Sequence, residues 1–252
     1  MPTSLTGSQG VMPADLLLLH GFTQTGASWD GVVRELAGRY RALAPDLGAG
    51  AWEGELDRLE ALAPARTFTL AGYSMGGRIA LHSALTLGPE TVTRLVLIGA
   101  SPGLADPAER AARRAADDAL AARIETLTIE AFAAEWGAQP LVADQPARVA
   151  AAANADRLRN TPFGLASALR GLGTGVMEPL WERLPQLAIP VTLVVGERDE
   201  KFLAFAEAMQ ARLPNARLVV VPRAGHAVQL ENPAAVAEAI HQSGSPSSSA
   251  SA

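Results

Sequence analysis

Ser74 is the residue around which this chain can organise chemistry. It stands in Gly72-Tyr73-Ser74-Met75-Gly76, a G-x-S-x-G pattern set directly after an apolar run and before a helical one. That setting requires a tight, strained turn with the serine hydroxyl exposed. The flanking glycines permit it, and the Met75 N–H at the helix start can point at a developing oxyanion. A serine hydroxyl is a weak base and nucleophile until an imidazole accepts its proton and a carboxylate orients that imidazole. The chain has four histidines. His226, in the loop Ala224-Gly225-His226 after the last apolar run, is the one placed to reach Ser74. His20, in His20-Gly21-Phe22, reads as structural; His82 falls inside the helix after Ser74, and His241 adjoins the C-terminal stretch. Asp199, at the end of Gly196-Glu197-Arg198-Asp199, supplies the carboxylate, and its neighbour Glu197 reads as a loop-fixing competitor. Phe22, in the loop after the first apolar run, offers the second oxyanion N–H.

The elements that must position these residues follow from short apolar runs at 16–20, 41–46, 67–73, 93–100, 190–196 and 216–222. Their near-continuous apolarity suits strands covered on both faces, and hence a parallel sheet. Helical patterns lie between them, for example at 78–87 and 201–213, so a doubly wound, mostly parallel α/β fold is expected. The interval 102–187 breaks the rhythm with Ala-rich helical segments punctuated by Pro140, Pro146, Pro162 and the 171–175 stretch. It reads as a helical cap over the strand ends, where open sheets bind ligands. The predicted division is a core of 1–101 and 188–242, a cap of 102–187 and a flexible tail of 243–252. Few residues precede the first run, so an N-terminal hairpin of the sheet is expected to be reduced or missing.

Composition narrows the class. The 252 residues contain no cysteine, which excludes disulfides, thiolate catalysis and Cys-based zinc sites. A net charge of −5 argues against nucleic acid as a partner. No run approaches the ~18 apolar residues of a membrane span, and the first fifteen residues lack the features of a signal peptide, so a cytoplasmic protein is expected. Oligomeric state is not legible.

The expected pocket is cationic. Arg78 lies four residues after Ser74, in the first helical turn, where it opposes the helix macrodipole by ~0.3–1 kcal/mol; a bound anion would compensate. In a helix expected over 108–127, Arg123 falls in the middle of an apolar stripe of Ala116, Leu120, Ile124 and Leu127, with no i±4 partner. That makes it a candidate carboxylate clamp, since a guanidinium matches a carboxylate bidentately. Arg113 and Arg114, by contrast, are explained by local pairing with Asp117 and Asp118. Arg157 and Arg159 offer similar possibilities, and Lys201 is expected at the rim.

The segments HGFTQTGASW, GYSMGGRIAL, LVLIGASPGL, LRGLGTG, VGERDEKF and RAGHAVQLENP carry a resemblance across about residues 16–240. The chain resembles the 2-succinyl-6-hydroxy-2,4-cyclohexadiene-1-carboxylate synthases of menaquinone biosynthesis, within the α/β-hydrolase superfamily. That superfamily places its relay in the chain order Ser, Asp, His found here. The resemblance implies an α/β-hydrolase fold and a lyase that removes pyruvate from a small substrate bearing several carboxylates, without a metal or organic cofactor. It implies Ser74, Asp199 and His226 as the triad and Phe22 and Met75 as the oxyanion site. It also implies substrate contacts from Tyr73, Arg78, Arg123, Trp136 and Lys201, and from Arg157 or Arg159, of which Arg159 is favoured. The segment PDLGAG departs from the family's usual PDLPGHG, which bears on the pocket rim. A carboxylesterase or C–C bond hydrolase working through an acyl-serine is the alternative on the same residues.

Overall fold

The computed structural model describes residues 14–48, 50–63, 66–139 and 145–242. The expected tail, Pro140 and the stretch ahead of the first strand lie outside them. The six apolar runs form six strands, β1 (Ala14–Leu19), β2 (Tyr40–Leu43), β3 (Phe68–Tyr73), β4 (Val92–Ile98), β5 (Val191–Gly196) and β6 (Ala216–Val221). They make one sheet in the order β2-β1-β3-β4-β5-β6, and every neighbouring pair is parallel. Parallel neighbours require crossovers, which here include α1 (Asp30–Glu35), α2 (Trp52–Leu62) and α3 (Met75–Leu87).

β1 shows why both faces are covered. Its Leu16 and Leu18 pack with Trp29, Val32, Val236 and Ile240, whereas Leu17 and Leu19 pack with Leu59, Ile79, Leu81 and Met209. Side chains alternate across a strand, so a run of leucines is stable only between two apolar layers. The strand order reverses direction beside β1. The carboxyl ends of β1 and β3 therefore open a crevice at a topological switch point.

Among the described residues, four α-helices lie between β4 and β5: α4 (Pro107–Ile124), α5 (Ile129–Gly137), α6 (Ala147–Arg157) and α7 (Pro162–Leu172). Local chemistry starts three of them. Asp106 accepts from Ala108 N–H, Thr128 from Ala131 N–H and Thr161 from Gly164 N–H; Pro107 and Pro162 sit where a helix has no N–H to lose. These helices hold a core of their own, with Ala121, Ile124, Phe132, Leu165 and Leu169 at its centre, and Phe22 of the β1 loop packs against it. The chain then returns to the sheet through β5, α8 (Glu200–Gln210), β6, α9 (Val228–Glu231) and α10 (Pro233–Gln242).

Among the described residues no helix is long and apolar enough to cross a membrane.

Candidate active site

Ser74 sits between β3 and α3 with φ 51° and ψ −109°, a conformation sparsely populated by residues with a side chain. Strain of this kind costs about 1–3 kcal/mol and is retained where the surroundings over-determine it. Here Ser74 N–H donates to the Ile98 carbonyl at 2.9 Å, and the backbone packs so closely that a Cβ at Gly76 would lie 2.2 Å from the Leu19 carbonyl oxygen. Only glycine at 76 allows α3 to start against β1.

The loops after β5 and β6 complete a hydrogen-bonded chain. His226 Nε2 lies 3.2 Å from Ser74 Oγ, and His226 Nδ1 lies 2.6 Å from Asp199 Oδ2. Both His226 and Asp199 are buried. The competitor Glu197 does something else: it accepts from the N–H of Arg223, a residue at φ 60°, and so shapes the turn leading to His226. Glu231 accepts from Gly225 N–H at 2.9 Å on the other side of the same loop. His20 donates from Nδ1 to the Gly21 carbonyl and accepts at Nε2 from Leu47 N–H, tying the β1 loop to the segment after β2; burial pushes its pKa down.

A cavity of about 220 Å³ opens onto this chain and is lined by Phe22, Ser74, Met75 and His226 together with residues of the helical insertion. Met75 is the first helical residue and Phe22 lies in the β1 loop, and among the described residues neither N–H has a backbone acceptor. Trp136 lines the cavity, with its ring edge-on to Phe22 at 5.1 Å, and Lys201, at the start of α8, lines it too.

The cationic wall is assembled differently from the sequence-based expectation. Arg78 does face the cavity. Its Nη2 donates to the Leu172 carbonyl at the C-terminus of α7, which supplies part of the compensation that its place at the head of α3 demands. Its Nε is buried and has no hydrogen-bond partner among the described residues, and burial with the nearby Arg113 pushes its pKa down to about 10, so it stays charged at neutral pH. Arg113 and Asp117 also line the cavity, paired at 2.8 Å. Burial raises the Asp117 carboxyl pKa against the opposing pull of Arg113, and among the described residues Asp117 Oδ2 has no hydrogen-bond partner.

Arg123, expected at the centre of an inward stripe, is exposed, pairs with Glu135 of α5 at 2.7 Å and does not line the cavity. The buried stripe of α4 runs through Asp117, Ala121 and Ile124, turned by about one residue from the expected one. In an Ala-rich helix the apolar contrast is weak, and the inward position held by an aspartate looks like a solvent position. Arg159, favoured over Arg157, is also exposed; α6 ends at Arg157, which is buried and turned inward, with Nη1 3.4 Å from the Ala133 carbonyl. Tyr73 is buried behind the relay, 5.2 Å from the His226 ring between centroids, and does not line the cavity; burial pushes its hydroxyl pKa up. Arg113 could have been found only by asking what its partner Asp117 was doing on a buried stripe.

His82 and His241 stand apart from the relay. His82 is buried in α3 with its ring 4.6 Å from that of Trp52, and its Nε2 has no hydrogen-bond partner among the described residues. Burial, helped by Arg183 and Arg78 and opposed by the Glu178 backbone carbonyl, pushes its pKa down to about 4. The folded form thus binds its proton more weakly than the unfolded chain, and stability falls as pH drops from about 6.5 toward 4. The expected loss from this residue is about 3 kcal/mol, all of it absent above pH 7. Urea titrations at pH 7 and pH 4 should show that extra loss in the wild type and not in His82→Gln. Equal losses in both would mean that His82 titrates normally.

Six parallel strands, a strained serine after β3 and a Ser-His-Asp chain at the strand ends define an α/β hydrolase, and the chain belongs to the alpha/beta hydrolase family, which it matches over residues 16–239. A Bacillus subtilis (strain 168) protein provisionally named 2-succinyl-6-hydroxy-2,4-cyclohexadiene-1-carboxylate synthase is 37% identical over 86% of this chain and 85% of its own length. The synthase of that name from Salmonella typhimurium (strain LT2) is 32% identical over 90% of this chain and 92% of its own. Within the hydrolases, the chain is a member of this synthase family. Among solved structures, MenH from S. aureus superposes with a TM-score of 0.87 at 28% identity, covering 93% of this chain and 94% of that one. A thermophilic esterase from Thermogutta terrifontis superposes with a TM-score of 0.76 at 25% identity, covering 92% and 89%.

Proposed function

We infer that the chain is a carbon–oxygen lyase. It eliminates pyruvate from a multiply carboxylated cyclohexene intermediate to give 2-succinyl-6-hydroxy-2,4-cyclohexadiene-1-carboxylate in menaquinone biosynthesis. The observation that carries this reading beyond the family names is Arg78: a charged, desolvated guanidinium with an uncommitted Nε, beside Arg113, facing the same cavity as Ser74. A pocket for a neutral ester has no use for it. A substrate carboxylate would satisfy it by charge-assisted hydrogen bonds.

In this reading His226 accepts the Ser74 proton, held in the required tautomer by Asp199, and the Ser74 oxygen removes a substrate proton α to a carbonyl. The C–H electron pair moves toward the carbonyl oxygen, where the Phe22 and Met75 N–H groups meet the developing negative charge. Collapse of that charge breaks the C–O bond and pyruvate leaves as its enolate, which takes its proton from the His226 imidazolium, while Ser74 keeps the proton removed from the substrate, so the relay returns to its starting state. The helices of 102–187 act as the cap, with Trp136 and Phe22 closing the apolar side of the cavity.

The esterase alternative draws on the likeness to the T. terrifontis esterase and on the same Ser74–His226 contact. Hydrolysis passes through an acyl-serine and elimination does not. Purified protein given the preceding intermediate should release pyruvate stoichiometrically, with no mass increment on Ser74 during a single turnover. An acylated protein in intact mass spectra, or no pyruvate, would refute the lyase reading.

A further inference from the structure

The loop that carries Phe22 adopts a conformation its own sequence disfavours. Gln24 N–H donates to the Gly21 carbonyl at 3.2 Å, closing a turn whose third residue, Thr23, has φ 68°. Positive φ at that place calls for glycine or asparagine, and a β-branched threonine is strained there. Something outside the turn must hold it. From the core, Gly26 N–H donates to Asp46 Oδ1 at 2.7 Å, and Gln229 Nε2 donates to Gln24 Oε1 at 3.2 Å.

The remaining restraints come from the helical insertion. At the end of α6, Asp156 accepts from the Thr25 N–H at 2.9 Å and from the Thr25 hydroxyl at 2.5 Å. Just beyond it, Asn160 Nδ2 donates to the carbonyl of the strained Thr23 itself at 3.2 Å. Asp156 is buried, and its bonds to Thr25 bridge 131 residues of chain. The Asp156 contacts do nothing for α6, whereas Asn160 Nδ2 also donates to the Arg157 carbonyl at the end of that helix at 3.1 Å.

We propose that Asp156 is a positioning residue for the oxyanion site. By pinning Thr25, together with Asn160 at Thr23, it keeps the turn wound so that the Phe22 N–H stays aimed into the cavity. The insertion thus sets the electrostatics of the reaction as well as the walls of the pocket. This rests on the assignment of Phe22 to the oxyanion site made above, but not on the identity of the substrate.

The test uses two readouts on the intact protein: steady-state pyruvate release and the Kd of phenylboronic acid. Boron adds to the Ser74 oxygen and presents a tetrahedral oxygen to the oxyanion site whatever the natural reaction is. Asp156→Ala should lower kcat by at least about 10-fold with little change in KM, because the lost interaction develops in the transition state, and should weaken boronate binding by a similar factor. Asp156→Asn, which can still accept from the Thr25 N–H and donate to its hydroxyl, should recover most of both. Thr25→Val, which removes only the hydroxyl, should shift both in the same direction and stands in if Asp156→Ala does not fold.

A merely structural Asp156 would lower Tm while leaving kcat and the boronate Kd of the folded protein unchanged, and that result would overturn the proposal. Absent pyruvate release with intact boronate binding would count against the lyase reading alone, the boronate series then deciding the role of Asp156. A wild type that does neither would overturn the oxyanion assignment and this proposal with it.

Discussion

Ser74→Ala and His226→Ala will each lower kcat/KM by at least about 10³-fold, and the double variant will be little worse than either, because members of one proton relay fail together. The geometry behind this is the 3.2 Å and 2.6 Å contacts that string Ser74, His226 and Asp199 into one chain. Removing either of the first two leaves a base with nothing to deprotonate or an alcohol with no acceptor. Residual activity should reflect binding and the oxyanion N–H groups. Folding should survive: Ser74→Ala relieves no strain and removes no core contact, and circular dichroism with a Tm close to wild type checks this. Multiplicative losses in the double variant would show that the two residues act independently and that the relay is misassigned.

Arg78→Ala will depress kcat/KM for the multiply charged substrate by at least about 30-fold, since removing one partner of a desolvated charge pair costs ~2–5 kcal/mol. The same variant should hydrolyse a small neutral ester, where any such activity exists, at close to the wild-type rate, having no carboxylate to lose. Arg78→Lys should rescue part of the loss, as an ammonium keeps the charge and loses the fork. Arg113→Ala should act in the same direction and more weakly, because its side chain is 44% exposed and already paired with Asp117. Arg123→Ala is the informative contrast: its guanidinium is spent on Glu135 at an exposed site, where such pairs contribute little, and activity should stay within about twofold. Equal losses on charged and neutral substrates would make Arg78 a structural residue and remove the main support for an anionic substrate.

Much of the molecule is written in local pattern. The central strands β1, β3, β4 and β5 could be read from their apolar runs because a parallel strand between two helical layers admits few polar residues, whereas the edge strand β2 carries Arg41 and is only partly buried. The G-x-S-x-G turn could be read because the strain at Ser74 and the close approach at Gly76 leave the sequence few options. Asp199 and His226 were legible for a related reason: each follows a recognisable strand directly, so the sheet itself delivers it to the site.

What the sequence could not decide was which face of each inserted helix turns inward and which residue from a distant segment arrives to pair with it. Ala-rich α4 has little apolar contrast, so the outward Arg123 and the inward Asp117 exchanged places in the periodic reading, and the partner of Arg123 came from another helix altogether. The two-residue ambiguity at the end of α6 was settled by where the helix stops: Arg157 is its last residue and buried, Arg159 lies beyond it and exposed. Tyr73, next to Ser74, was turned behind the Ser74–His226 contact by the alternation of β3. The grip of Asp156 on Thr25 spans 131 residues and obeys no period. Local pattern encodes what a residue's neighbours in the chain require of it; which long-range partner meets it is settled only when the helices pack.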